Sequence, residues 1–286
     1  MIATNTSNAT KGSLDTLFQC VRFTGKDHKD FLQAQLSCDV KSLGTLPAAR
    51  LGAWLNPKGR VLALAWWLVD EDHTLAVTTS AGASQLTGAL TRYVLRSKTT
   101  ITQAPELHVS GILSGARSSS PEDVLPVERI DDGWSMDLFD GRRLVVTETA
   151  SAEADIANTW TAADITAGIP QIHDAGIGEW IAQAIGLERL NAVSVRKGCY
   201  PGQEIVARMH FLGRGKRRLA RGMLADTDVA PETAAQVCDA DGKNLGEVVQ
   251  SASEDSAAAI LVTLHEGAFD KDVYVNTRKI DNLVPF

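Results

Sequence analysis

Lys197-Gly198-Cys199-Tyr200-Pro201-Gly202-Gln203-Glu204 sets a thiol two residues after an ammonium, inside a glycine-rich loop, with a carboxylate five residues on. A cysteine kept for packing behaves as a small inert hydrophobe and needs no such company. A reactive one needs an electropositive, partly open setting that favours the thiolate. Pro201-Gly202 has the residue order of a type II turn, and a helix opening at Gln203 would add its macrodipole to the charge of Lys197. The same residues also suit a tight loop between domains in which Cys199 only packs. Glu204 reads as a general base, as a ligand-binding carboxylate or as a helix-start charge.

Other residues able to do chemistry are scattered. Arg208, His210, Arg214, Lys216, Arg217, Arg218 and Arg221 form a basic run in a chain whose formal net charge is -7. They would bind the phosphates of RNA or a charged cofactor tail, or serve as a solvated linker. Phe18, Trp54, Trp66, Trp67, Trp134, Trp160 and Trp180 could stack on a flat ring, though burying large aromatic area is their commoner use. The other histidines, His28, His73, His108, His173 and His265, make no metal spacing and no triad. Neither a P-loop nor a dinucleotide fingerprint is present. Four irregularly spaced cysteines, Cys20, Cys38, Cys199 and Cys238, argue against a zinc ribbon or a disulfide framework and suit a reducing cytoplasm.

The elements that must position the octapeptide follow from periodicity. With 286 residues, two or three packed units are expected. Met1 to Ser13 reads as a frayed tail without a targeting signal, and no apolar run is long enough to span a membrane. Thr16 to Phe23 predicts a strand, and Asp27 to Leu36 a helix. Leu51 to Leu55 and Val61 to Val69 predict a hairpin across Asn56-Pro57-Lys58-Gly59-Arg60, with His73 to Thr78 beside it. Ala83 to Leu95 is helical by spacing, Thr99 to Thr102 extended, and Gly115 to Pro126 a loop. Trp134 to Phe139 and Arg142 to Thr147 pair across Asp140-Gly141. Ala152 to Ala167 predicts a helix stopped by Gly168, and Gly176 to Leu190 a second helical patch interrupted by Gly186. Gln203 to Leu212 predicts a helix ended by Gly213. Beyond Leu219 short strands and turns suggest a small β-barrel.

The octapeptide resembles the K-G-C-[YF]-x-G-Q-E signature of the YgfZ family, relatives of the glycine-cleavage T-protein, an aminomethyltransferase. Leu32 to Val40, Pro57 to Arg60, Arg92-Tyr93 with Ser97-Lys98, Trp160 with Ala167-Gly168-Ile169-Pro170, and Lys216-Arg217 are similar to further elements of that family. The likeness runs from about Thr16 to Leu219 and continues beyond in texture only. It implies an α+β fold with two interleaved subdomains over residues 14–218 and a C-terminal β-barrel over 219–286, ring-like around a central folate pocket. It also implies a monomeric cytoplasmic accessory protein that binds tetrahydrofolate, or a one-carbon derivative, and supports iron–sulfur enzymes and tRNA modification. The alternative is a tetrahydrofolate-dependent aminomethyl or methyl transferase, and a direct RNA contact through the basic run is the weakest option. The expected catalytic pair is Cys199 and Lys197. The expected cofactor-binding set is Phe18, Trp160, Tyr200, Gln203, Glu204 and Arg208. Relatives tend to carry Trp at position 18, so Phe18 offers less stacking surface and no indole donor.

Overall fold

The computed structural model describes residues 10–113, 120–121, 124–213, 215–227 and 229–286. Ten strands build the first sheet: β1 (Lys11–Ser13), β2 (Gln19–Thr24), β3 (Ala48–Leu55), β4 (Val61–Val69), β5 (His73–Thr78), β6 (Thr100–Gln103), β7 (His108–Ile112), β8 (Leu125–Ile130), β9 (Gly133–Asp137) and β10 (Arg143–Thr147). Their order is β1-β7-β10-β9-β8-β3-β4-β5-β2-β6, and every pairing is antiparallel. β8 is the joint: Leu125 and Pro126 pair with β3, whereas Val127 to Ile130 pair with β9.

The run Val61–Val69 is wholly apolar because both faces of β4 are covered. Trp66 and Trp67, adjacent in sequence, point to opposite faces. Trp66 joins a large core with Phe18, Trp160, Trp180 and Tyr200, and Trp67 joins a second core with Phe23, Leu36 and Cys38. Among the described residues the α-helices are α1 (His28–Gln35), α2 (Ser80–Ser84), α3 (Ala157–Ala167) and α4 (Gln203–Leu212).

A second, seven-stranded antiparallel sheet holds β11 (Arg217–Ala225), β12 (Gln236–Cys238), β13 (Asn244–Glu254), β14 (Ala257–His265), β15 (Tyr274–Val275), β16 (Arg278–Lys279) and β17 (Asp281–Pro285). Its strand order is open, from β16 to β17, yet these edge strands are separated in the chain by Ile280 alone. The sheet therefore curls until its edges nearly meet. The expected barrel is present as a curled sheet that the ladder does not close. Its central hairpin is buried on both faces: Val249, Ala252, Ala259 and Leu261 face the large core, and Val248, Ile260, Val262 and Leu264 face the sheet's own core.

Several sequence expectations are corrected. Lys11–Ser13 is a strand on β7 rather than frayed tail, and Gly12 leaves room there for the Ala154 carbonyl and the Ile156 side chain; residues 1–9 lie outside the described residues. Most of the Gly115 to Pro126 loop also lies outside them, and its end, Leu125-Pro126, is strand. The Ala83 to Leu95 helix breaks into α2, a π turn and a 3-10 turn. There Thr87 and Thr91 donate back to Ala83 and Thr87 carbonyls. Gly176 to Leu190 holds one short 3-10 turn, Ala182–Ile185, following another that ends at Gly176, instead of a helix. The hairpin claims its backbone: Val61 N–H donates to Trp180 O at 2.9 Å, and Gly178 N–H donates to Val61 O at 2.8 Å.

The two sheets and α3 meet at a buried ion pair. Arg142 donates to Asp164 at 2.5 Å and to Asp140 at 2.6 Å, and its guanidinium lies 4.3 Å over the Trp160 ring. Burial alone would lower the pKa of Arg142, but the two carboxylates outweigh it and raise the value. Gln171 donates its side-chain N–H to Asp164 at 2.5 Å and its backbone N–H to Gln250 of β13 at 2.5 Å. A bulge between Val248 and Gln250 turns Gln250 toward that contact. Removing one partner strands a buried charge. Arg142→Leu is expected to cost about 3–5 kcal/mol in urea unfolding, and the double change Arg142→Leu, Asp164→Leu to recover much of it.

Candidate functional site

Three fastenings hold the signature loop. The first is a serine pair: Ser37 Oγ donates to Ala192 O at 2.6 Å and accepts Ala53 N–H at 3.0 Å, while Ser194 N–H donates to Ser37 O at 2.8 Å. Ser194 in turn receives Lys197 N–H on its hydroxyl at 3.2 Å and the Tyr200 hydroxyl on its carbonyl at 2.9 Å. Lys197 is the second. Its ammonium is buried and donates to Leu36 O at 2.6 Å and Cys38 O at 2.8 Å, with the Tyr200 ring centroid 5.2 Å away.

The third fastening is backbone on backbone. Gly202 has φ 82 and ψ -1, and Gln203 N–H donates to Tyr200 O at 3.2 Å, so Pro201-Gly202 is the type II turn its residues predict. A Cβ at Gly202 would lie 2.6 Å from Asn56 O and 2.9 Å from Gly59 Cα. Only glycine fits between this turn and the β3–β4 hairpin tip. The Gln203 side chain closes the loop by donating to Lys197 O at 3.0 Å, and α4 starts there.

What remains free is Gly198 and Cys199, both exposed. The thiol stands at the surface on a loop anchored to either side. The sequence puts the Lys197 charge beside that thiol, whereas the structure spends it on carbonyls of the 36–38 segment. Burial lowers the Lys197 pKa to about 8, with Cys38 and Asp39 opposing the shift. Burial likewise raises Tyr200. Cys38 packs its sulfur against Gly52 and is pushed up to about 11, chiefly by burial, and Cys20 to about 12 for the same reason. Among the described residues no group of three or more His, Cys, Asp or Glu side chains could hold a metal ion.

The other expected site residues fall in two places. Glu204 and Arg208 pair with each other at 3.0 Å on the exposed side of α4. Phe18 and Trp160 lie in the large core, away from that helix surface. Trp160 is fully buried, roofed by Arg142, with Gly111 and Leu14 on its flank. Phe18 lines an internal cavity of about 20 Å³ together with Trp66, Thr79, Asp164, Pro170 and Gln171. It also lines a surface cleft of about 290 Å³ with Asp15, Cys20, Leu107 and His108. Cys199 lines neither. A larger cavity, about 580 Å³, lies between Arg60, Trp180, Met209, Lys216, Arg217 and His265.

Arg142, Asp164, Gln171, Ser37 and Ser194 escape the sequence reading. One signal was available: Trp160 and Asp164 are four apart on a predicted helix and so share a face. Of the basic run, Arg214 lies outside the described residues. Most of the rest is committed internally: His210 to Glu188, Arg217 to Glu247 at 3.2 Å, Arg218 to Phe286 O at 3.4 Å and Arg221 to Thr166 O at 2.9 Å.

No family model matches the chain. Over 222 residues, 71% of this chain and 68% of the relative, the sequence is 27% identical to the tRNA-modifying protein YgfZ of Colwellia psychrerythraea. The chain is similar in sequence to that protein. Among solved structures, the glycine cleavage system aminomethyltransferase T from Bartonella henselae superposes with a TM-score of 0.69 over 97% of this chain and 84% of that one, at 12% identity. The fold of this chain is thus the aminomethyltransferase T fold, two sheets with α-helices packed on them.

Two measurements probe this loop. In the native protein a maleimide should label Cys199 first, Cys20 and Cys38 should stay protected until unfolding, and Cys199→Ser should remove the fast phase. Lys197→Met should lower stability by about 2 kcal/mol at pH 7, because two buried carbonyls lose their donor. Below about pH 8 Lys197 is protonated in both states; between there and the ordinary value of 10.5 the folded state releases a proton that the unfolded chain keeps. Its contribution therefore becomes more favourable as pH rises through that window. Urea unfolding at pH 7 and pH 9 should show the gap between wild type and Lys197→Met widening at the higher pH.

Proposed function

We propose that the protein is a folate-binding accessory factor that supports iron–sulfur enzymes, tRNA-modifying ones among them, with Cys199 as its working thiol. The observation that carries this reading is the contrast within the octapeptide. Lys197, Tyr200, Gly202 and Gln203 are all committed to holding the loop, and the residue they present to solvent is a cysteine. A thiol kept for packing would be buried, as Cys20 and Cys38 are.

The residues around the internal cavity fit a pterin in kind. Phe18 and Trp66 are aromatic walls, and Asp164 and Gln171 supply acceptors for ring donors. Trp160 Nε1 and Gln171 Oε1 are buried polar atoms without a partner among the described residues. The cavity of about 20 Å³ holds about one water, so a pterin enters only by displacing a side chain, and Phe18, which borders the outer cleft as well, is the one in position. When bound, tetrahydrofolate supplies one-carbon chemistry. Phe18, Asp164 and Gln171 would hold it, with Trp160 beneath Arg142. Tyr200 and Gln203 serve the loop, and Glu204 with Arg208 would reach only a tail that extends over α4.

The likeness to aminomethyltransferase T favours a second reading, a folate-dependent aminomethyl or methyl transferase. It leaves the fastened thiol without a task, which is why it stands second. A direct RNA contact draws little support, since most of the described basic run is already paired.

Complementation separates these readings. In a strain lacking the protein, wild type should restore methylthiolation of tRNA and Cys199→Ala should not, at equal expression. Full rescue by Cys199→Ala would overturn the thiol reading and promote the transferase. Tetrahydrofolate added to the purified protein should change tryptophan emission saturably, since Trp66 lines the cavity.

A further inference from the structure

The free positive charge of this protein lies away from the run that the sequence singles out. From Arg208 to Arg221 most of the described cations are paired internally. Arg92, Arg96 and Lys98, in contrast, are exposed, and their side chains make no hydrogen bond or ion pair among the described residues. They sit on the corner that joins the 3-10 turn Leu90–Tyr93 to β6. The same corner puts apolar surface into water: Leu95 is 88% exposed and Tyr93 49%. It is nonetheless fastened. Ser97 N–H donates to Val94 O at 2.7 Å, and Lys98 N–H donates to the Asp27 carboxylate at 2.7 Å. Gly25 lies so close to Lys98 O that a Cβ there would come within 2.0 Å of it. The Tyr93 ring meets the buried Trp54 ring near a right angle, at a centroid distance of 6.0 Å. An aromatic ring is thus held in place, half in water, beside three cations that no carboxylate pairs with.

We propose that this corner binds a single-stranded polynucleotide, one base stacking on Tyr93 and the neighbouring phosphates pairing with Arg92, Arg96 and Lys98. Every base has a flat face, and a ring fixed in advance loses little freedom on stacking. The two guanidinium groups donate in pairs to phosphate oxygens, and the Lys98 ammonium adds a third positive charge. The overall charge of -7 works against a broad anionic partner such as a lipid surface, which would also meet the acidic remainder of the molecule. A single strand is narrow enough to touch the corner alone, and charges more than about 8 Å from it are screened at physiological salt. A duplex keeps its bases stacked on one another, and an acidic peptide meets the cations but leaves the Tyr93 ring without a stacking partner.

The test is fluorescence anisotropy with a labelled oligouridylate of about a dozen nucleotides, an oligothymidylate and an abasic strand of the same length, between about 50 and 200 mM salt. Wild type should bind the base-bearing strands at least tenfold more tightly than the abasic one. Its log affinity should fall with log salt at a slope of about -2, since each phosphate contact to a single strand contributes about 0.7. Tyr93→Ala should lose at least tenfold for the base-bearing strands, almost nothing for the abasic strand, and keep the slope. Arg96→Ala should bind every strand more weakly, with the slope reduced by about 0.7. A preference for one sugar assigns the corner to RNA or to DNA, and equal affinity assigns it to single strands of either kind. No saturable binding at the lowest salt would overturn the proposal. So would equal affinity of wild type for base-bearing and abasic strands, an arm that needs no variant to fold. Binding that survives the corner variants and is lost with Lys216→Ala would place the strand beyond α4 and overturn it as well. Polyglutamate or phosphatidylserine vesicles that compete equally well at equal charge would make the corner a general anion surface, with the same result.

Discussion

A buried ammonium organises the functional face of this protein. Lys197 carries its charge out of water, which is expensive, and recovers the cost only by donating to the carbonyls of Leu36 and Cys38 across 161 and 159 residues of chain. Those carbonyls lie just past α1, where a helix end leaves acceptors without intrahelical partners. The lysine thus serves two needs at once, satisfying that chain segment and fixing the loop before α4. The segment it binds is also where Ser37 meets Ser194, so both ends of the loop's first half are tied to one strip of backbone.

The second half of the loop is fixed without charge. Gly202 and the β3–β4 hairpin tip approach until backbone touches backbone, and Gly59 at that tip would meet Ile205 of α4 if it carried a Cβ. Arg60 from the same tip donates to the carbonyls of Gly178 and Glu179, stitching in the segment that runs under the curled sheet. One hairpin therefore positions the turn, the start of α4 and the 178–182 segment. A loop held in this way by sterics on one side and hydrogen bonds on the other has little conformational freedom left to lose.

Local chemistry was legible where it is local. α4 runs from Gln203 to Leu212 as its periodicity and flanking glycines predict, because Gly202 and Gly213 both take left-handed backbone that other residues resist. The β3–β4 hairpin and the type II turn were legible for the same reason. Gly176 to Leu190 was not, since its apolar spacing answers to the hairpin and the curled sheet rather than to a helix of its own. Lys197 was half legible: its neighbourhood in sequence suggests the thiol as its partner, and only the fold brings the 36–38 carbonyls to it. The Arg142, Asp164, Gln171 and Gln250 cluster could not be seen at all, because its four members come from a hairpin turn, a helix, a connecting segment and the second sheet.

The thiol and the internal cavity are separate places joined by one strand. Leu51 of β3 lines the cavity, and Ala53, two residues on, gives its N–H to Ser37 and takes the Ser37 N–H on its carbonyl. Residues two apart on a strand share a face, so cavity wall and loop anchor are parts of one rigid element. A ligand in the cavity cannot touch Cys199 directly through such an arrangement, but any shift of β3 would reach the loop at its serine fastening. On the proposed folate reading, a ligand at the core would act on the thiol only through this strand and the serine fastening. Lys197 is turned inward onto the carbonyls of Leu36 and Cys38, and there it fixes the stance of the loop.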